Sequence, residues 1–236
     1  MSEARFDEGG PAAELAGELA LADWRRQTTE LYAEIRRAPA PADAHALWRA
    51  GRDRMFSRHP QSPLGAADGL RSSGLPYWPY DPRWRFALPL VDEQESVSYE
   101  VPTAPEEVTR IRQIGWLQLP DAVGGRLAVW WLEQYGGGIF VPFRDATAGS
   151  STYGAGRYLL DTAKGADLGL DSAMMVLDFN FSYHPSCRYD PAWQCPLAPP
   201  QNVLAVAIEA GERLYDTRND GGPARSATPR RSSTSA

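Results

Sequence analysis

Beyond residue 86 the chain is written as a series of short β-prone runs broken by Gly, Pro and Asp, and this constrains the fold most. The runs cover 96–101, 108–119, 126–133, 138–143, 156–161, 174–180 and 203–210. Runs of this length between turn formers fit strands of an antiparallel sheet, a sandwich or a partly closed barrel, because neighbours joined by short turns pair antiparallel. Trp130 and Trp131 are adjacent, so within a strand they point to opposite faces, one into the core. Gly136, Gly137 and Gly138 are followed by no lysine at the spacing of a phosphate loop, and they predict a turn.

The first sixty residues have a different period. Leu15, Leu19, Ala22, Leu31 and Ile35, with Trp24 and Tyr32, recur at helical spacing through 12–37, and Pro39 and Pro41 are expected to stop that helix. A second helix is expected to follow, capped by Asp43, with Ala46, Leu47, Ala50, Met55 and Phe56 on its apolar side and Pro60 at its end. The reading is a helical hairpin over 12–60 packed on a β-rich domain over 61–216, mainly β with an N-terminal hairpin and α+β overall. The proline-punctuated aromatic stretches 59–64 and 77–82 favour extended backbone and are expected to wrap the domain, their rings available as pocket walls. The ends, 1–11 and 217–236, are expected to be disordered; the C-terminal one is rich in Gly, Pro, Ser, Thr and Arg and cannot build a core.

Charge narrows the function. A formal net charge of −6, with Lys164 the single lysine and the arginines scattered, argues against a footprint for nucleic acid or an anionic membrane surface. No run of about 18 apolar residues is present to span a membrane, and the acidic start is unlike a signal peptide. The 2 cysteines, Cys187 and Cys195, are too sparse for a secreted disulfide scaffold. Together these predict a cytoplasmic protein with free thiols, no cofactor, and a small molecule as its partner.

Polar residues concentrate in two clusters beside strong β signals. In 143–158, the glycines and threonines fit a strand, turn and strand; alternatively Arg144, Asp145, Thr152, Tyr153 and Arg157 converge on a ligand, with arginine gripping an anion. In 177–202, Asp178 and Asn180 share a strand face by the two-residue period, and either an arginine such as Arg157 satisfies them or they face a wet pocket. His184, Cys187 and Cys195, with Asp178 as a fourth ligand, are weak metal candidates, since their spacing is not that of a zinc finger or ribbon. The expectation is therefore no metal. The cysteines read as buried structural thiols or a strained disulfide, with a reactive thiol as the alternative. His45, in the first turn of a helix, is expected at the surface, and His59 either caps a helix end or enters a pocket. No Gly-x-Ser-x-Gly elbow occurs.

The strings Phe143-Arg144-Asp145, Thr152 to Tyr158, Leu177-Asp178-Phe179-Asn180, Tyr183-His184-Pro185-Ser186-Cys187, Cys195-Pro196-Leu197, Asn202 and Ala210-Gly211-Glu212 resemble the bacterial domain-of-unknown-function family 1684 (DUF1684). Upstream, Trp48-Arg49, Arg52-Asp53, Phe56, His59 to Pro63 and Tyr80-Asp81-Pro82 resemble its shorter, actinobacterial-like members. The resemblance implies a β-rich fold and that Asp145, Thr152, Tyr153, Arg157, Asp178, Asn180, Cys187 and Cys195 lie close together. It carries no activity. His184 stands where the family has asparagine, which points to hydrogen bonding rather than zinc.

From these residues the leading expectation is a pocket for a small anionic or carbonyl-bearing molecule, bound by Arg144, Thr152, Tyr153, Arg157, Asp178 and Asn180 and walled by Trp78 and Tyr80. The first alternative is a hydrolase or isomerase with Asp145 or Asp178 as general base, Tyr153 as acid and Arg157 stabilising developing charge. The second is a purely structural or interaction protein.

Overall fold

Helix α1 (Pro11–Arg37) turns at residues 38–40 into helix α2 (Pro41–Arg58). The computed structural model describes residues 11–92, 96–104 and 107–215. Of the ends expected to be disordered, only Pro11 lies among them. Pro41 opens α2 rather than stopping α1: a ring that fixes φ and lacks an N–H suits the first helical turn, where that donor has no partner anyway. Asp43 makes no cap hydrogen bond and instead places its charge in the first turn. The hairpin closes where Trp24 packs on Phe56 and His59, with ring centroids 5.6 and 5.2 Å apart. His59 Nε2 lies 3.1 Å from Asp23 Oδ2, while its Nδ1 accepts from the Gln61 amide.

A short helix, α3 (Leu70–Ser73), and a 3-10 turn at Pro82–Trp84 lead into the strands. They are β1 (Arg85–Leu88), β2 (Ser98–Ala104), β3 (Glu107–Gln118), β4 (Arg126–Leu132), β5 (Ile139–Phe143), β6 (Arg157–Asp161), β7 (Leu170–Asp171) and β8 (Met174–Asp178). Strands β2 to β6 form a five-stranded antiparallel meander, and β1-β8-β7 a three-stranded antiparallel sheet; neither closes into a barrel. Gly136 and Gly137, both at positive φ, make the turn from β4 to β5. Two expected strands are revised. Residues 179–181 leave β8 in a 3-10 turn, so Asp178 and Asn180 do not share a strand face. The run 203–210 is irregular: its first half bonds the backbone of Arg144 and Ala146, and from Ile208 its backbone groups are taken by the buried side chains of Asp145 and Arg157.

The two sheets and the hairpin share one core, in which Trp48, Phe143, Phe179 and Phe181 are fully buried and Phe143 meets Phe179 across the sheets at 5.1 Å. Strand β4 is buried on both faces: Leu127 and Val129 face this core, while Ala128 and Trp130 join Ile111, Phe140 and Tyr158 in a second cluster. That is the pleat at work. Trp130 is the core tryptophan and Trp131 is half-buried. Asn202 pins this layer by accepting from Trp130 Nε1 and donating to the Ala128 and Pro142 carbonyls. His45, expected at the surface, is instead buried against Trp48, Tyr80 and Phe181. No described helix is long and apolar enough to cross a membrane.

Candidate functional site

Three buried polar networks and a cysteine pair account for the side chains singled out in the sequence. In the first, Asp145 and Arg157 are paired at 3.1 Å with almost no exposure. Asp145 also accepts from the Thr147 hydroxyl at 2.6 Å and the Ile208 amide at 2.7 Å, and Thr147 in turn bonds Thr152. Arg157 donates to the carbonyls of Ile208, Ala210 and Glu212. Burial lowers its pKa to about 10, opposed by the Asp145 charge. Its guanidinium stacks between Trp78 and Phe143. The pair is a clamp that fixes the path of 208–212.

The second network surrounds Asp178. Its Oδ1 accepts from the backbone and side-chain nitrogens of Asn180, and its Oδ2 from Arg85 at 3.2 Å. Asn180 completes the set by exchanging hydrogen bonds with the Asp81 backbone. Burial raises the Asp178 pKa against these bonds. Arg85, on the adjacent strand, is thus the partner of Asp178, and Arg157 is not. The expected meeting of the two clusters is made instead by Phe143 against Phe179 and by Gly211. At φ +76 Gly211 lies so close to Ser182 and to the Phe179 carbonyl that a side chain there would collide with them.

The third network was not assembled from the sequence. The chain leaving the Arg157 clamp delivers Glu212, which is 1% exposed, to a point between α2 and the 182–189 loop. Arg52 donates to Glu212 Oε2 at 2.7 Å and to the Tyr77 hydroxyl at 3.2 Å. Its guanidinium lies about 5 Å from the ring centroids of Trp48, Phe56 and Tyr183. The His184 amide donates to Glu212 Oε2 at 3.0 Å, and His184 Nδ1 lies 3.2 Å from Glu212 Oε1. His184 Nε2 accepts from the Tyr153 amide at 3.2 Å. An acceptor Nε2 puts the proton on Nδ1, so the imidazole is neutral and donates to Glu212. Burial lowers the His184 pKa, consistent with that state. Burial alone would raise the pKa of Glu212, but the charges and hydrogen bonds of His184 and Arg52 bring it below the usual value. With His184 neutral, Arg52 is the cation that does this at pH 7.

Both nitrogens of His184 are therefore occupied by the protein, which removes it as a metal ligand. Among the described residues no three His, Cys, Asp or Glu side chains gather as a metal ion requires. Cys187 and Cys195 face each other instead, the Cys187 amide 3.4 Å from Cys195 Sγ.

His184 separates two cavities. One, of about 80 Å³, lies under α1 and is lined by Trp24, Tyr32, Arg52, Asp161, Lys164 and Cys195 among others. The other is an open cleft of about 590 Å³ lined by Leu70, Pro76, His184, Arg188, Tyr189 and Arg213 among others. Asp145 and Asp178 line neither, and their oxygens are engaged, so neither has the geometry of a general base. Arg144 is exposed and Thr152 is buried in the clamp. Of the expected ligand-binding residues, Tyr153 meets His184 directly, its amide on Nε2 and its ring 6.5 Å from the imidazole. The signal for the missed residues was in the sequence: Arg52 and Glu212 both lie in strings that resembled the family.

Two antiparallel sheets clasped by a helical hairpin, with a buried Arg, Glu and His set between two cavities, define an α+β protein of uncharacterised type. The chain belongs to the DUF1684 family of proteins of unknown function, whose sequence model matches residues 71–213. It is similar to an uncharacterised protein of Haloarcula marismortui solved by solution NMR, at 32% identity and a TM-score of 0.51, covering 73% of this chain and 95% of that one. No curated protein matches the chain.

Proposed function

We propose that this protein binds a small anionic or carbonyl-bearing molecule in the cleft beside His184. The observation that carries the reading is how charge is distributed across the cleft wall. Glu212 is neutralised from behind by Arg52, so Arg188 brings positive charge to this stretch, with Asp68 the opposing carboxylate. Tyr189 adds an aromatic ring to the same wall. The volume falls in the range of about 300 to 1,000 Å³ used for small molecules. The β-domain pocket expected from the sequence is thereby moved from the Asp145 and Asp178 networks to the surface that they position. The sparse cysteines support a cytoplasmic setting.

A thermal-shift panel of phosphate, dicarboxylates and 2-oxo acids tests this on the full chain. At least one class should raise Tm, and a ligand at about 100 times its Kd adds roughly 2.7 kcal/mol. Arg188→Ala should abolish that protection while leaving the unliganded Tm within a degree or two of wild type. If no class shifts Tm at millimolar concentration, or if Arg188→Ala leaves the shift intact, the reading fails.

A further inference from the structure

Neither the polar networks nor the cleft makes use of the two cysteines, which nonetheless share a built environment. Both are free thiols, and the Cys187 amide donates to the Cys195 sulfur at 3.4 Å, which brings the pair to one place. Lys164 lines the same cavity as Cys195 and adds positive charge there. Both cysteines are half-buried, and Cys195 lines the 80 Å³ cavity together with Ser186 and Lys164. A sulfur that accepts from a backbone amide beside a lysine is placed where its anion is favoured. A cysteine that serves only as packing needs none of these.

We propose that Cys187 and Cys195 form a thiol–disulfide exchange site for low-molecular-weight disulfides such as oxidised glutathione, with Cys195 the attacking sulfur and Cys187 the resolving one. In the first step the Cys195 thiolate forms a bond to one sulfur of the disulfide; the disulfide bond breaks, and one thiolate leaves. Cys187 then loses its proton and attacks Cys195 Sγ, expelling the second thiolate. The protons given up by the two cysteines end on the two departing thiolates. The cysteine pair is oxidised by two electrons and the small disulfide is reduced to two thiols.

The asymmetry of the pair sets this order. The hydrogen bond from Cys187, with the amides and Lys164, outweighs burial and lowers the Cys195 pKa to about 6, so Cys195 is largely thiolate at pH 7. That same bond, together with burial, pushes the Cys187 thiol well up. Cys187 therefore stays protonated while Cys195 is charged. Once Cys195 is a neutral mixed disulfide, that repulsion is gone and Cys187 can titrate.

The full chain is incubated in a glutathione redox buffer, quenched with acid, alkylated and weighed whole, and iodoacetamide rates are mapped to each cysteine across pH. Wild type should lose two hydrogens as an intramolecular disulfide. Cys187→Ser should stop at a glutathione adduct on Cys195, and Cys195→Ser should form neither product at pH 7 over the same time. In wild type at pH 6, Cys195 should alkylate about tenfold faster than an unperturbed thiol, given its larger thiolate fraction and lower intrinsic nucleophilicity. A wild-type chain that remains a dithiol in oxidising buffer overturns the proposal. So does Cys187 alkylating as fast as Cys195, a readout that requires no variant to fold.

Discussion

The His184 imidazole donates through Nδ1 to Glu212 and accepts through Nε2 from the Tyr153 amide, so one neutral ring joins the Gly-rich turn, the 182–189 loop and the last described segment. Glu212 shares its other oxygen with Arg52 of α2. One carboxylate thus adds a charged link between the helical hairpin and the sheets to the core that they share.

Glu212→Ala should therefore be among the most destabilising single changes in the chain. It leaves the Arg52 guanidinium, 12% exposed in its side chain, without its counter-charge, a loss of about 3 to 5 kcal/mol. His184→Asn should cost far less, about 1 kcal/mol, because an amide can still donate to Glu212. Urea melts with unchanged m-values check both. Equal losses would contradict this division.

His45 supplies a pH dependence. Burial, followed by the charge of Arg49, lowers its pKa from 6.5 to about 4. Between those values the unfolded chain binds a proton that the folded chain refuses. Stability from this residue is therefore complete above pH 6.5 and falls as pH drops toward 4, by up to about 3 kcal/mol. His45→Phe should flatten the stability profile across pH 4 to 6.5, measured by denaturant melts at several pH values. A slope as steep as wild type would assign the effect to other groups.

The two buried aspartates should respond differently to truncation. Asp145→Ala strands Arg157, which is 1% exposed and cannot reach water, at about 3 to 5 kcal/mol. Asp178→Ala frees Arg85, which is 35% exposed and can be solvated, so about 1 to 3 kcal/mol should be lost, mainly from the Asn180 donors. Melting both variants under one condition gives the order, and the reverse order would refute it.

Asn202→Leu removes the acceptor for Trp130 Nε1 and the donor for two carbonyls at once. All three groups are buried, and a loss of about 2 to 4 kcal/mol is expected. Amide hydrogen exchange should show β4 and β5 losing protection together. Protection lost in β5 alone would mean that Asn202 does not couple the strands.

The antiparallel meander was legible in the sequence because each of its strands pairs with the next across a turn that local residues specify, as Gly136 and Gly137 do. The hairpin was legible for the same reason, since helical period is a local property. What failed was non-local. Strand β1 was missed because Arg85–Leu88 has little pattern of its own and is a strand only by lying beside β8. Residues 203–210 have the apolar texture of a strand, yet from Ile208 onward their backbone groups go to the side chains of Asp145 and Arg157 from another part of the chain.

The site divides along the same line. Composition and residue order by themselves determined that polar groups concentrate at 143–158 and 177–202, that the chain is acidic, and that it has the family's strings. Which charge meets which was decided only by the tertiary structure. A buried ion pair is chosen by distance and dielectric, and sequence separation tells little about either: Arg157 turns to Asp145 and not to Asp178, and Glu212 reaches back 160 positions to Arg52. Folding thereby consumes the aspartates that seemed reactive. The same folding leaves His184 neutral between Glu212 and the Tyr153 amide, a placement that no local pattern specifies.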